Sequence, residues 1–167
     1  MELIEPSSAF IASYKSALDE FDEHGISGFW RMFGPIEDET KYLQSIRNYQ
    51  HKTGLEDGVV PATVYWLVDN GEFIGHVSVR HSLDASLKMR GGHIGYSIRP
   101  SRHRQGYGSE ILRRVLPYVR LLGIQEALVT CNKDNVASRR IIEKNGGVLS
   151  GEVEVNGKPV LHFWIRL

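Results

Sequence analysis

A chain of 167 residues, 41% apolar and 24% charged, has ordinary globular composition and the length of one domain with a sizeable core. Its 20 basic and 20 acidic side chains cancel, which argues against a polyanion binder held by bulk charge. Its one cysteine, Cys131, excludes a disulfide framework and any zinc site built on paired cysteines. No apolar run approaches the roughly 18 residues of a membrane helix, and the acidic opening through Glu2 and Glu5 is unlike a signal peptide. A single soluble, cytoplasmic domain, residues 1–167, is expected, with no metal and no nucleic-acid or membrane partner.

Ser7 or Ser8 is placed to cap a helix running to about Glu23, with Phe10, Ile11, Tyr14, Leu18 and Phe21 at helical spacing and Gly25 as its stop. A second helix is expected from about Asp38 to Lys52, with Tyr42, Leu43, Ile46 and Tyr49 on one face and Gly54 at its end. Residues 55–62 read as loop. Thr63–Asp69 and Phe73–His81 read as strands joined by a two-residue turn at Asn70-Gly71. Residues 84–91 read as an irregular connection. Gly92–Arg99 reads as a further strand, in which Gly95 marks a bulge or a close backbone approach.

A glycine-bearing loop follows Pro100 and leads into a helix carrying Ile111, Leu112, Val115, Leu116, Val119 and Leu122, which Pro117 is expected to kink or break. Ile124–Cys131 is a short, nearly all-apolar strand. Asp134 is placed to cap a helix to about Asn145, and two strands joined at Asn156-Gly157 end the chain. The strand–helix–strand unit around the loop requires a right-handed crossover between parallel neighbours. The fold class is therefore α+β, with a mixed, mostly antiparallel sheet flanked by helices. The apolar segment Val160–Leu167 leaves a homodimer open.

The chemistry concentrates in the loop. Residues 1–60 hold 11 acids against 5 bases and residues 61–120 hold 4 against 9, so the basic excess is central, where Arg99, Arg102 and Arg104 fall together. Glycines in His103-Arg-Gln-Gly106-Tyr-Gly108, between a strand and a helix, leave backbone N–H groups open to an anion, usually a phosphate. The neighbouring arginines would add charge-assisted contacts. A Rossmann fingerprint fails because Ile111 stands where a third Gly or Ala is needed, and the P-loop, zinc-hydrolase and serine-hydrolase patterns are absent.

The stretch Gly92-His-Ile-Gly-Tyr-Ser-Ile-Arg-Pro-Ser-Arg-His-Arg-Gln-Gly-Tyr-Gly108 resembles the acetyl-CoA signature of the GNAT superfamily of N-acyltransferases. The later Asn132-Lys-Asp-Asn135-Val-Ala-Ser138, followed by a helix and Gly146, resembles the family's second cofactor segment. The likeness is close over roughly residues 60–150, and the element order fits the whole chain. It implies a GNAT fold in which the strand ending at Ile98 splays from the strand 124–131. Residues 1–60 would form part of the acceptor site, 60–150 the acetyl-CoA core and 150–167 a terminal hairpin.

The resemblance implies that the pantetheine arm pairs with backbone near Tyr96, Ser97 and Ile98. The pyrophosphate would sit on the amides around His103, Arg104, Gln105, Gly106, Tyr107, Gly108 and Ser109. Asn135 and Ser138 would contact the arm or the sulfur end. The implied reaction is acetyl transfer to a small-molecule or peptide amine, with a non-catalytic acyl-CoA sensor or an ATP- or NAD-binding domain as rivals. Many members carry a tyrosine acid where this chain has Ile142, and some a glutamate base where it has Gly92. The remaining candidates for the base are His93, His76 and His81, then Glu152 and Glu154, while Tyr96 and Tyr107 are candidate donors to the sulfur. Cys131 reads as packing, and Phe29, Trp30, Phe33 and Tyr42 as core between the first two helices rather than an acceptor pocket.

Overall fold

The capping signals of the first two helices act as read. Ser7 accepts a hydrogen bond from the Ala9 N–H and opens a 3-10 turn, Ser8–Phe10, that leads into α1, Ile11–Glu23. Asp38 accepts from the Lys41 N–H and starts α2, Glu39–Gln50, whose buried face is Tyr42, Leu43, Ile46 and Tyr49. The computed structural model describes residues 1–51 and 58–167, so the stop expected at Gly54 and much of the loop 55–62 lie outside the described residues.

Two antiparallel sheets follow. In the first, β2 (Ala62–Asp69) and β3 (Glu72–Arg80) turn on Asn70 and Gly71, at φ 49° and 78°, the paired left-handed conformation of a tight hairpin. β1 (Glu2–Ile4), too short to show as a pattern in the sequence, pairs with β2, and β4 (Ile94–Ile98) pairs with β3, giving the order β1-β2-β3-β4. The segment expected to be irregular instead contains α3, Ala85–Met89, capped by Asp84 on the Leu87 N–H. Five residues carry too little periodicity to announce a helix, and the cap decides it.

The second sheet has the order β5-β7-β6, from β5 (Glu126–Asn132), β6 (Val148–Val155) and β7 (Lys158–Arg166). Asn156 and Gly157 make its hairpin at φ 52° and 72°. α4, Tyr107–Leu121, runs through Pro117 without a break, against expectation. A helix-interior proline costs about 3 kcal/mol. Buried Ile111, Leu112, Val115 and Val119 outweigh that, at roughly 1.5–3 kcal/mol each. α5, Val136–Lys144, is capped by Asn135 rather than Asp134, with Asn135 Oδ1 accepting from Ser138 N–H at 3.0 Å.

The first sheet is buried on both faces. Val64, Trp66, Val68 and Phe73 pack with α1 and α2, while Leu67, Ile74, Val77 and Val79 pack with α4 and the second sheet. Leu161, Phe163 and Ile165 of β7 belong to this core, which accounts for that strand's apolar character within the chain. The splay expected between the strands around α4 is wide enough to divide one sheet into two. β4 and β5 share no ladder, so the parallel pairing expected there does not form; they meet where β4 begins, through an isolated antiparallel bridge between Gly92 and Val129 and the hydrogen bonds beside it.

Candidate active site

The seam between the sheets is built by His93. Its N–H donates to Leu128 O at 2.7 Å, and its Nδ1 accepts from Leu128 N–H at 2.9 Å. The neutral ring therefore carries its proton on Nε2 and has no lone pair left to remove another. Burial, then the nearby Arg80 charge, pushes its pKa below the usual histidine value, which keeps that form. His93 is a pin between sheets, which corrects the expectation of a general base. The register of β3 and β4 is regular through Gly95, so no bulge turns His93 toward the cleft.

Beyond the seam the strands part around a cavity of about 310 Å³. Tyr96 and Ser97 of β4, Cys131 of β5, and Asn135 and Ser138 at the start of α5 all line it. Tyr96 Oη and Ser138 Oγ lie 3.1 Å apart. Burial raises the Tyr96 hydroxyl well above the ordinary tyrosine pKa, and also raises the Cys131 thiol. Arg80 N–H bonds to His93 O and Arg99 N–H to Ile74 O, so alternate residues of β4 are tied to β3. The backbone groups of Ile94, Tyr96 and Ile98 consequently face the cleft. The Ile98 carbonyl accepts from His103 Nε2 at 2.8 Å, while the backbone groups of Ile94 and Tyr96 stay open to the cleft.

Past the other end of β4 lies the glycine loop. Arg104 and Gly106 both adopt positive φ, 61° and 88°, and curl the chain into a concave turn that opens α4. The backbone N–H groups of residues 104–108 donate to no described atom. A Cβ built on Gly106 meets nothing within 4 Å, so the amides face open space. Successive free amides at a helix N-terminus are an anion site, and they fit a pyrophosphate. The side chains of the loop are otherwise engaged: Gln105 Nε2 donates to Ser101 O and Tyr107 Oη to Asp69 Oδ2. Ser109 N–H returns to Gly106 O, and a Cβ on Gly108 would fall 2.5 Å from Ile141 Cδ1, so Gly108 seats α4 against α5.

The arginine cluster divides. Arg99, 5% exposed, donates to Glu20 through Nε at 3.0 Å, to Glu72 at 2.8 Å and to Phe73 O at 3.1 Å. Arg102 is held by Glu72 and Ser101 N–H by Glu20. Burial would raise the Glu20 carboxyl, but hydrogen bonds from Arg99 and Ser101 overcome it and bring its pKa down to about 2. Two of the three arginines expected to meet a phosphate are thus neutralised: Arg99 ties the start of the loop to α1 and β3, and Arg102 ties it to β3. Exposed Arg104 has no salt bridge with a described acid and remains for the anion.

Other candidates fall elsewhere. His76 lies among the rings of Tyr14, Phe21, Trp30 and Phe73, and burial pushes it down to about 3. His81 Nε2 and Thr63 Oγ1 are 2.8 Å apart outside the cavity lining. Glu152 pairs with Lys133 at 2.9 Å. Trp30, Phe33 and Tyr42 pack in the core beneath α1 and α2, as expected, and Trp30 also reaches the cavity wall. Ile142 is fully buried. Sequence reasoning missed Arg80, whose guanidinium nitrogens lie 3.5 Å from the Cβ position of Gly95. The glycine in the strand was the signal, and the approaching group was not readable from it. Among the described residues no three of His, Cys, Asp and Glu converge as a metal site, and no helix is long and apolar enough to cross a membrane.

Two sheets part along one strand, and a nest of free amides lies beyond that strand's end. A family model described as an acetyltransferase (GNAT) domain matches residues 21–148, and the chain belongs to the GNAT acetyltransferase family. YoaA, an uncharacterized N-acetyltransferase of Bacillus subtilis (strain 168), is 34% identical over 116 residues, which are 66% of this chain and 60% of that protein. The chain thus spans less than two thirds of the length of this curated relative. The fold is shared with RimL, a ribosomal-protein α-N-acetyltransferase solved with coenzyme A, at TM-score 0.70 and 19% identity over 99% of this chain and 93% of that one. It is shared also with a mutant of the spermidine N-acetyltransferase SpeG of Vibrio cholerae, at TM-score 0.64 and 16% identity over 99% and 95%.

Proposed function

We propose that this protein moves the acetyl group of acetyl-CoA to an amine, on a small molecule or a peptide, by direct transfer in a ternary complex. The observation that carries this reading is the run of free amides at 104–108, joined by β4 to a cavity lined by Tyr96 and Ser138. Coenzyme A is the ligand of the RimL structure, which shares this fold. When bound, acetyl-CoA supplies an activated acyl group as a thioester.

The amides of Arg104 to Gly108 hold the pyrophosphate, and Arg104 adds a charged contact. The outward backbone of Tyr96 pairs with the pantetheine arm in the manner of an added strand. Asn135, whose Oδ1 is taken by its cap, offers Nδ2, and Ser138 its hydroxyl, near the sulfur end. The amine nitrogen forms its bond to the acyl carbon as the carbon–sulfur bond breaks. Its proton passes to water, since Gly92 stands at the family's glutamate position and no described carboxylate lines the cavity. Tyr96, a weaker acid than a thiol near 8.5, stabilises the departing thiolate by a hydrogen bond and keeps its own proton, and solvent protonates the sulfur. Alignment of the two substrates supplies much of the rate.

A sensor that binds acyl-CoA without turnover is the second reading, favoured by the buried Ile142 where many members carry a tyrosine acid. The experiment is continuous detection of free thiol from acetyl-CoA with a panel of amines. Steady release that depends on the amine is expected. Tight acetyl-CoA binding with no thiol release for any amine would replace the enzyme with the sensor.

A further inference from the structure

The cavity beside β4 has a charge that its neighbours make readable. Among the described residues Arg80 and Arg90 are its cationic lining residues, and no described aspartate or glutamate lines it. Tyr96 and Cys131, both raised by burial, are neutral near pH 7. The Arg80 guanidinium is held in place: Nη1 donates to Gly91 O at 3.2 Å and to Gly92 O at 3.1 Å, and the group lies over Gly95. Its Nε and Nη2 hydrogens donate to no described atom. Burial lowers its pKa, and the Tyr49 hydroxyl and then the Asp84 carboxylate act against that; Asp84 lies beyond salt-bridge range and caps α3 on the Leu87 N–H at 2.7 Å. Exposed Arg90 has no salt bridge with a described acid.

A half-buried guanidinium with no counterion among the described residues is unfavourable, and its fork of N–H donors matches two oxygens of a carboxylate or phosphate. Resting on the acetyl transfer proposed above, we infer that the acceptor amine carries an anionic oxygen group close to its nitrogen, seated by Arg80 and Arg90 at the end of the cavity opposite the glycine loop. A polyamine presents further positive charge to the same wall and is disfavoured. Arg80 thereby acts as a specificity residue for the acceptor and not as a catalytic one.

The test compares amines that differ in charge, with each kcat/KM taken per concentration of unprotonated amine, because the neighbouring group also shifts the amine pKa. Glycine against glycinamide, and O-phosphoethanolamine against ethanolamine, separate carboxylate from phosphate, with spermidine as the polycation. In the native protein the anionic member of one pair is expected to have at least about tenfold higher kcat/KM, the worth of one charge-assisted hydrogen bond. Arg80→Gln should bring that ratio near one, Arg80→Lys should restore part of it, and the KM for acetyl-CoA should stay within about twofold of native. Arg90→Gln, at an exposed position, should lower the ratio by less. The acetylated products read the same site without turnover: N-acetylglycine, or the phosphate counterpart, should bind more tightly than N-acetylglycinamide, and lose that advantage in Arg80→Gln. Equal use of charged and neutral amines, preference for spermidine, or a product preference that survives Arg80→Gln would overturn the inference. Acetyl transfer itself would stand in each of those cases, because amine-dependent thiol release is read in the same assay.

Discussion

Replacing Gly106 by valine is expected to lower the affinity for acetyl-CoA at least about a hundredfold while the protein stays folded. Gly106 sits at φ 88°, and a β-branched residue there carries strain of roughly 1–3 kcal/mol. A Cβ there meets nothing of the protein within 4 Å, so the substitution starts in open space. The added atoms fill the space that the free amides of 104–108 face. Hydrogen bonds to a charged group are worth about 1.5–3 kcal/mol each, so losing two of them accounts for the hundredfold. Gly123→Val is the control: it has a similar φ, 82°, and equally open surroundings, but it follows the far end of α4. Both variants should melt slightly early and only Gly106→Val should lose the ligand. If the two bind acetyl-CoA alike, the loop is not the pyrophosphate site.

A carboxylate engineered at the family's glutamate position is expected to damage the fold and supply no base. Gly92 has φ 63°, and a Cβ there would lie 2.3 Å from Leu128 O and 2.9 Å from its carbonyl carbon. Both atoms are backbone at the seam that His93 closes, and neither can move without opening it. Gly92→Glu should cost about 3–5 kcal/mol, the upper range for single substitutions. At roughly 2–4 °C per kcal/mol for a chain of this size, the melting point should fall by about 10 °C. Gly92→Ala should show most of the same loss, because the clash is at Cβ. Gly25→Ala, at φ 62° with nothing within 4 Å, should lose only about 1 kcal/mol. A Gly92→Glu protein that melts with the native one would mean that the sheets are not joined here. The same crowding gives a physical reason for the missing acid.

What the sequence discloses is what neighbours along the chain decide. The Asn70-Gly71 and Asn156-Gly157 turns, the Asp38 cap and the apolar face of α2 are local, and each forms as read. The nest at 104–108 is legible for the same reason, since one short segment makes all of it. Roles that need a distant partner were hidden. Arg99 and Arg102 look like anion ligands until Glu20, 79 residues from Arg99, and Glu72, 30 residues from Arg102, close on them. His93 looks like a base until Leu128, 35 residues on, occupies its Nδ1. Arg80 drew no notice because its site is shared among β3, the turn before β4 and Gly95. The short β1 and α3 were lost because three and five residues hold too little pattern.

Calorimetric titration of the native protein with acetyl-CoA, beside ATP and NAD, decides whether the wedge beside β4 and the loop beyond it bind acetyl-CoA. One site per chain with a dissociation constant in the micromolar range, on the order of −8 kcal/mol, is predicted for acetyl-CoA, with ATP and NAD far weaker. No heat with acetyl-CoA from a folded sample, or equal binding of ATP or NAD, would contradict this assignment.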